Sequence, residues 1–180
     1  MYIKVLLSVR KLLLPLLCMP LIFSCGENKK DELEKKEDKE YNKNMETFKV
    51  VVSKVNNYFE NSDLKEINIS EYYTEDFIFH SYLAGNKKGQ ETVKSEYISH
   101  LEEMKMMGMS INIGHSIYLP GIDEKTFKLD GSVRVYYGAT ISIDTNNIDF
   151  SGYQTINFKN KKISEIWEWA DYGGVSNQLY

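Results

Sequence analysis

The sequence predicts an α+β fold, with helices packed on a mostly antiparallel sheet. Two observations carry this: apolar residues recur at steps of three and four in the first half, and four β-type segments separated by turn residues fill the second half. A third observation bounds the domain count. A chain of 180 residues with 42% hydrophobic and 13% aromatic content suits one domain with a real core and excludes disorder over its whole length.

Residues 1–24 are built differently from the rest. Lys4, Arg10 and Lys11 make a positive start, Leu12 to Phe23 form an apolar run, and small Ser24 precedes Cys25. This is the three-part layout of a signal peptide. About a dozen apolar residues at roughly 1.5 Å each fall well short of a bilayer core of roughly 30 Å, so a permanent spanning helix is disfavoured. The stretch Leu21-Ile22-Phe23-Ser24-Cys25-Gly26 resembles the lipobox of bacterial lipoproteins, although Phe23 is bulkier than usual there. The resemblance implies cleavage before Cys25, lipidation of its thiol and anchoring to a membrane of the bacterial cell envelope. The expected location is extracytoplasmic, at the outer membrane. Each buried lipid methylene contributes about 0.8 kcal/mol, so two or more acyl chains hold a protein on a membrane.

The chain has two cysteines, and Cys18 lies in the segment expected to be removed, so no internal disulfide is possible in the mature form. Removing residues 1–24 takes away three positive charges and no acids, which moves the formal charge from -4 to -7. That sign argues against nucleic acid as a partner.

Residues 25–44 are almost all Lys, Glu, Asp or Asn and read as a charged, flexible, solvated tether. Acids and lysines three or four apart, such as Glu32 with Lys35 or Lys36, favour transient helix there. The domain proper is expected over 45–180. Met45, Phe48, Val52, Val55 and Phe59 share one face of a first helix that ends near Asn61-Ser62. Asp63 followed by Glu66 has capping-box spacing, which predicts a short second helix with Leu64, Ile67 and Tyr72 facing inward. A strand pattern runs from Phe77 to Leu83. A third helix carries Val93, Tyr97, Leu101 and Met104 and stops by Gly108. Strands follow near Ser110 to Leu119, Ser132 to Asp144, Asp149 to Phe158 and Lys162 to Asp171.

Two-residue hairpins centred on Asn146-Asn147 and Asn160-Lys161 would set Ile143 against Phe150 and Phe158 against Ile163. One face would then hold Val135, Tyr137, Ala139, Ile141 and Ile143, then Phe150, Gly152, Gln154, Ile156 and Phe158. The last strand would add Ile163, Glu165, Trp167, Trp169 and Asp171 to it. The opposite face is mostly polar. Gln154, Glu165 and Asp171 on an apolar face need partners or a cavity, and a carboxylate desolvated there acquires the raised pKa of a general acid or base. The alternative for Asp171 is a cap on a C-terminal turn.

The element order, the last strand Lys162-Ile163-Ser164-Glu165-Ile166-Trp167-Glu168-Trp169-Ala170-Asp171, Gly89 ahead of the third helix and the turn Asp130-Gly131-Ser132-Val133 resemble the nuclear transport factor 2-like superfamily. Its SnoaL-like branch is most similar. The resemblance, over Met45 to Leu179, implies three N-terminal helices packed on a strongly curved sheet that encloses a conical cavity, and often a homodimer through the outer sheet face. It also implies a last-strand carboxylate acting as acid/base. Alignment around Trp167 points to Glu168, whereas the hairpin register points to Asp171. His80 is a candidate catalytic partner, although a lone histidine on a strand is more often structural.

No metal and no cofactor are expected, because His80, His100 and His115 lie on three separate elements with no paired ligand spacing. Met104, Met106, Met107 and Met109 are read as core or helix-end packing before a ligand entrance. The leading expectation is a domain that binds a small, largely apolar molecule among Tyr137, Ile141, Gln154, Glu165, Trp167 and Trp169. The alternatives are an enzyme of the cyclase, isomerase or dehydratase kind using Asp171 or Glu168, and a noncatalytic assembly module.

Overall fold

The structure is a computed structural model that describes residues 27–82 and 89–178, with side chains described from Lys39 onward. The expected signal segment, Cys25 and the end of the motif at Leu179 lie outside the described residues. By contacts the chain forms two units, residues 1–36 and 37–180, and the folded domain is the second.

Helix α1 (Glu27–Glu60) continues back through the charged stretch expected as tether. Its apolar face buries Phe48, Val51, Val55, Tyr58 and Phe59. Two asparagines fix the helix to the sheet. Asn44 Nδ2 donates to the Gly131 carbonyl at 2.8 Å, and Asn56 exchanges bonds with the Ile113 backbone at 2.8 and 2.9 Å.

The expected second helix does not form over 63–66. Asn61 Oδ1 instead accepts from the Asp63 N–H at 3.0 Å, an Asx turn that competes with helix initiation. Only a 3-10 turn at Ser70–Tyr72 follows. Ile67 and Ile69 are nevertheless buried.

Strands β1 (Tyr73–Ser81) and β2 (Gln90–Val93) lead into α2 (Lys94–Met106). The four-residue β2 was not foreseen. Lys105 of α2 donates to the carbonyls of Tyr58, of Asn61 at 2.7 Å and of Leu64 at 3.0 Å, so it caps α1 and ties the two helices together.

Strands β3 (Met109–Ile122), β4 (Leu129–Ile143), β5 (Asn146–Lys159) and β6 (Lys162–Ala170) complete the sheet, and α3 (Tyr172–Gln178) closes the described chain. The sheet order is β2-β1-β6-β5-β4-β3, antiparallel throughout except for β1 beside β6. One core of Phe48, Val51, Tyr73, Phe77, Val133, Ile156, Ile163 and Ile166 packs α1 against part of the inner face of the sheet.

Two register findings correct the sequence reading. The β4–β5 hairpin turns at Asp144-Thr145, so Ile143 pairs with Asn146 and Ile141 with Ile148. The displacement is four residues, an even number, so every side chain keeps its expected face. Cross-strand bonds Thr140 to Asp149 and Ser142 to Asn147, both 2.7 Å, hold this register.

The β5–β6 hairpin turns where expected, with Asn160 and Lys161 both at positive φ and Phe158 opposite Ile163. Beyond it the register shifts, so that Asn157 pairs with Glu165 and Gln154 with Glu168. Ser164 is the extra residue of a β-bulge. From there on the last strand exchanges faces. Ile166 and Glu168 point inward, and Glu165, Trp167 and Trp169 share the outer face with Asn157, Thr155 and Tyr153.

Candidate functional site

The hollow between α1, α2 and the inner sheet face is a cavity of about 400 Å³. Its walls are mainly apolar. Phe48, Val52 and Val55 come from α1, Tyr97, Leu101 and Met104 from α2, and Ile111, Ile113, Val135 and Ile141 from β3 and β4. A group of polar side chains, Tyr137, Gln154 and Tyr172, converges on Glu168.

Register explains the convergence. Val135, Gln154, Glu168, Ser81 and Gln90 are successive partners across β4, β5, β6, β1 and β2. They form one row on the inner face, and its last four members are polar and line the cavity.

Glu168 is buried, with 4% of its surface exposed, and its carboxylate takes three hydrogen bonds. Oε1 accepts from Tyr137 Oη and from Gln154 Nε2, each at 2.6 Å, and Oε2 accepts from Tyr172 Oη. These donors satisfy most of what a buried carboxylate requires. Burial and the adjacent Glu168 charge push the Tyr137 and Tyr172 phenols far above the ordinary tyrosine value, so both stay neutral donors. Tyr97 is raised by the same two causes. A neutral phenol held against a carboxylate can supply a proton or stabilise negative charge developing beside it.

The structure brings Tyr137, Ile141, Gln154 and Glu168 together around the cavity. It does not place Glu165, Trp167, Trp169, His80 or Asp171 among the lining residues, and the bulge at Ser164 is the reason for the first three. Glu165 accepts from Asn157 Nδ2 at 2.9 Å on the outer face. His80 stacks on Trp167 with ring centroids 3.7 Å apart, and Tyr82 stacks on Trp169 at 4.4 Å. Asp171 is exposed, and its Oδ1 accepts the Gly174 N–H at 2.8 Å, so it caps α3.

Tyr172 and Ser81 were missed by the sequence reading. Tyr172 rides on α3, whose only signal was the capping aspartate before it. Ser81 becomes a site residue solely through its pairing with Glu168. Among the methionines, Met104 lines the cavity, while Met106 and Met107 are exposed.

Neither a family model nor a curated protein sequence matches the chain. Solved structures do. A candidate polyketide cyclase from Xanthomonas campestris aligns at 14% identity over 76% of this chain and 99% of its own, with a TM-score of 0.53. An NTF2-like protein from Anabaena variabilis aligns at 12% identity over 73% of this chain and 92% of its own, with a TM-score of 0.52. The protein TerC, co-crystallized with polyporic acid, aligns at 10% identity over 75% of this chain and 96% of its own, with a TM-score of 0.53.

The sheet, its helices and the hollow between them therefore define an α+β domain with an internal cavity. The fold is the nuclear transport factor 2-like fold.

Proposed function

We propose that the domain binds a small, largely apolar molecule in its cavity, with one polar group of that molecule set against Glu168. The observation that carries this reading is a mainly apolar hollow of about 400 Å³ in which four polar lining residues, Gln154, Glu168, Ser81 and Gln90, form one row through a buried carboxylate. TerC, of the same fold, was co-crystallized with polyporic acid. Native mass spectrometry of the chain purified from its own host tests the reading. A copurifying small molecule is expected, and it should be absent from a cavity-filling Ile141→Trp variant. A folded chain that carries nothing and binds no lipophilic compound from a broad panel argues against it.

We further propose that Cys25 carries lipid and holds the domain at the bacterial envelope, supported by the signal-like segment before it. Among the described residues no helix is long and apolar enough to cross a membrane. Cys25→Ser should move the protein from the membrane to the soluble fraction, and unchanged membrane association would remove the anchor from this account.

A second reading, an enzyme of the cyclase, isomerase or dehydratase kind, is favoured by the Tyr137–Glu168–Tyr172 arrangement. Glu168 would move the proton and the phenols would steady the charge. A copurified molecule chemically altered between the native chain and Glu168→Gln supports turnover. An identical molecule in both leaves binding alone.

Pairing of two copies through the outer sheet face is also consistent with the exposed side chains of Ile117, Tyr136 and Trp169. Sedimentation of Trp169→Glu against the native chain tests it, and equal monomeric masses would end the idea.

A further inference from the structure

Glu168 is a buried carboxylate whose hydrogen-bond donors are all neutral. They are two phenols and a primary amide. No lysine or arginine stands among the described lining residues, and His100 is the one basic side chain there. The ion pairs among the described side chains lie elsewhere, on Glu46, Glu75, Asp76, Glu91 and Asp130. A buried charge that lacks an opposite charge is costly, and in a low-dielectric hollow it attracts one strongly.

The carboxylate also has capacity left. It offers about four lone-pair directions, and three are taken. Among the described residues Oε2 accepts from Tyr172 alone.

The surroundings favour the same sign. Phe79, Tyr97, Tyr137 and Tyr172 line the cavity beside Glu168. Ring faces attract organic cations, most strongly where water is excluded. Next along the row stand Ser81 and Gln90, whose oxygens accept N–H donors, at successive strand spacings of about 4.8 Å.

We propose that the molecule this pocket takes is an amine: a small ring-containing skeleton bearing one protonated nitrogen, with the ammonium on Glu168 and the skeleton among the aromatic and aliphatic walls. This rests on the binding reading above and narrows its ligand to a chemical class. A carboxylic acid of the same skeleton meets Glu168 as a like charge and is rejected.

The full-length chain in nonionic detergent is dialysed to equilibrium at neutral pH against naphthylmethylamine, naphthylmethanol and naphthoic acid, with protein-free micelles as the blank. The amine is expected to bind about tenfold or more tighter than the alcohol, with the acid weakest. Glu168→Gln should bring amine and alcohol to nearly equal affinity. If that variant does not fold, the order of the three probes on the native chain decides alone. Alcohol or acid binding as tightly as the amine overturns the amine assignment and leaves an apolar pocket standing. An amine preference that persists in Glu168→Gln overturns it too. Binding by none of the three overturns the pocket reading and the amine together.

Discussion

The Tyr137 ring lies across Gly152, its directly opposed partner on β5, so closely that a Cβ on Gly152 would sit 2.5 Å from the phenol oxygen. The missing side chain is what lets the phenol reach Glu168. Gly152→Ala should displace the ring, break the Tyr137–Glu168 bond and destabilise the domain by about 1–3 kcal/mol through overpacking. Chemical denaturation of the purified protein measures this, and an unchanged midpoint would show that the ring has room to move.

Tyr137→Phe removes one donor from the buried carboxylate while keeping the ring. A hydrogen bond to a charged group is worth about 1.5–3 kcal/mol, so a loss of that order is expected in urea unfolding. A loss no larger than that of an exposed substitution would mean that Glu168 does not depend on this phenol.

Tyr73, Tyr97, Tyr137 and Tyr172 are all held above the ordinary tyrosine pKa, chiefly by burial. For a group raised in the folded state, the stabilisation is complete below the unfolded value, about 10, and drains away as pH rises from there through the folded value. Stability should therefore be insensitive to these groups at neutral pH and fall steeply from about pH 10, by up to about 1.4 kcal/mol per pH unit for each phenol kept neutral. Thermal unfolding across alkaline pH tests it. Tyr97→Phe should make the fall shallower, and an identical slope would exclude Tyr97 as a contributor.

His80 is a different case. It is buried at 6% exposure, it stacks on Trp167, and neither ring nitrogen finds a hydrogen-bond partner among the described residues, although Glu91 Oε1 lies 3.8 Å from Nδ1. An unsatisfied buried polar group carries a cost, and an apolar ring of similar shape removes it. His80→Phe is expected to leave the melting temperature unchanged or raise it. A drop equivalent to more than about 1 kcal/mol would show that the approach of Glu91 to the imidazole is stabilising.

Asp171→Ala should unfasten α3 at a cost of about 0.5–2 kcal/mol, the range for a lost N-cap. Because Tyr172 follows it, the same change should weaken ligand binding although Asp171 touches no ligand. Full affinity alongside reduced stability would separate the cap from the site.

The helices and strands were legible wherever one face had a clear apolar period, as with Phe48, Val52 and Val55 on α1 or Val133 to Ile141 on β4. Legibility failed where side chains competed with the backbone or where two strands had to agree. Asn61 diverted the chain from a second helix by a bond that propensity does not count. Gln154, Tyr137 and Ile141 kept their place in the site because the β4–β5 hairpin slipped by an even number. Trp167, Trp169 and Glu165 lost theirs because β6 slipped by one. A warning was present in the order Ile163-Ser164-Glu165-Ile166: two buried isoleucines three apart cannot share a face of a regular strand. The pairing that joins Ser81 to Glu168 spans most of the domain and leaves no local trace.

Ser164 therefore acts as a parity bit for the interior. A strand with that residue deleted would direct two indoles into the space that is now hollow and turn its carboxylate out to water. Filled and hollow versions of this cone are thus one codon apart. Comparing chains of this architecture by aligned identity alone, without counting bulges, will assign their interiors to the wrong residues.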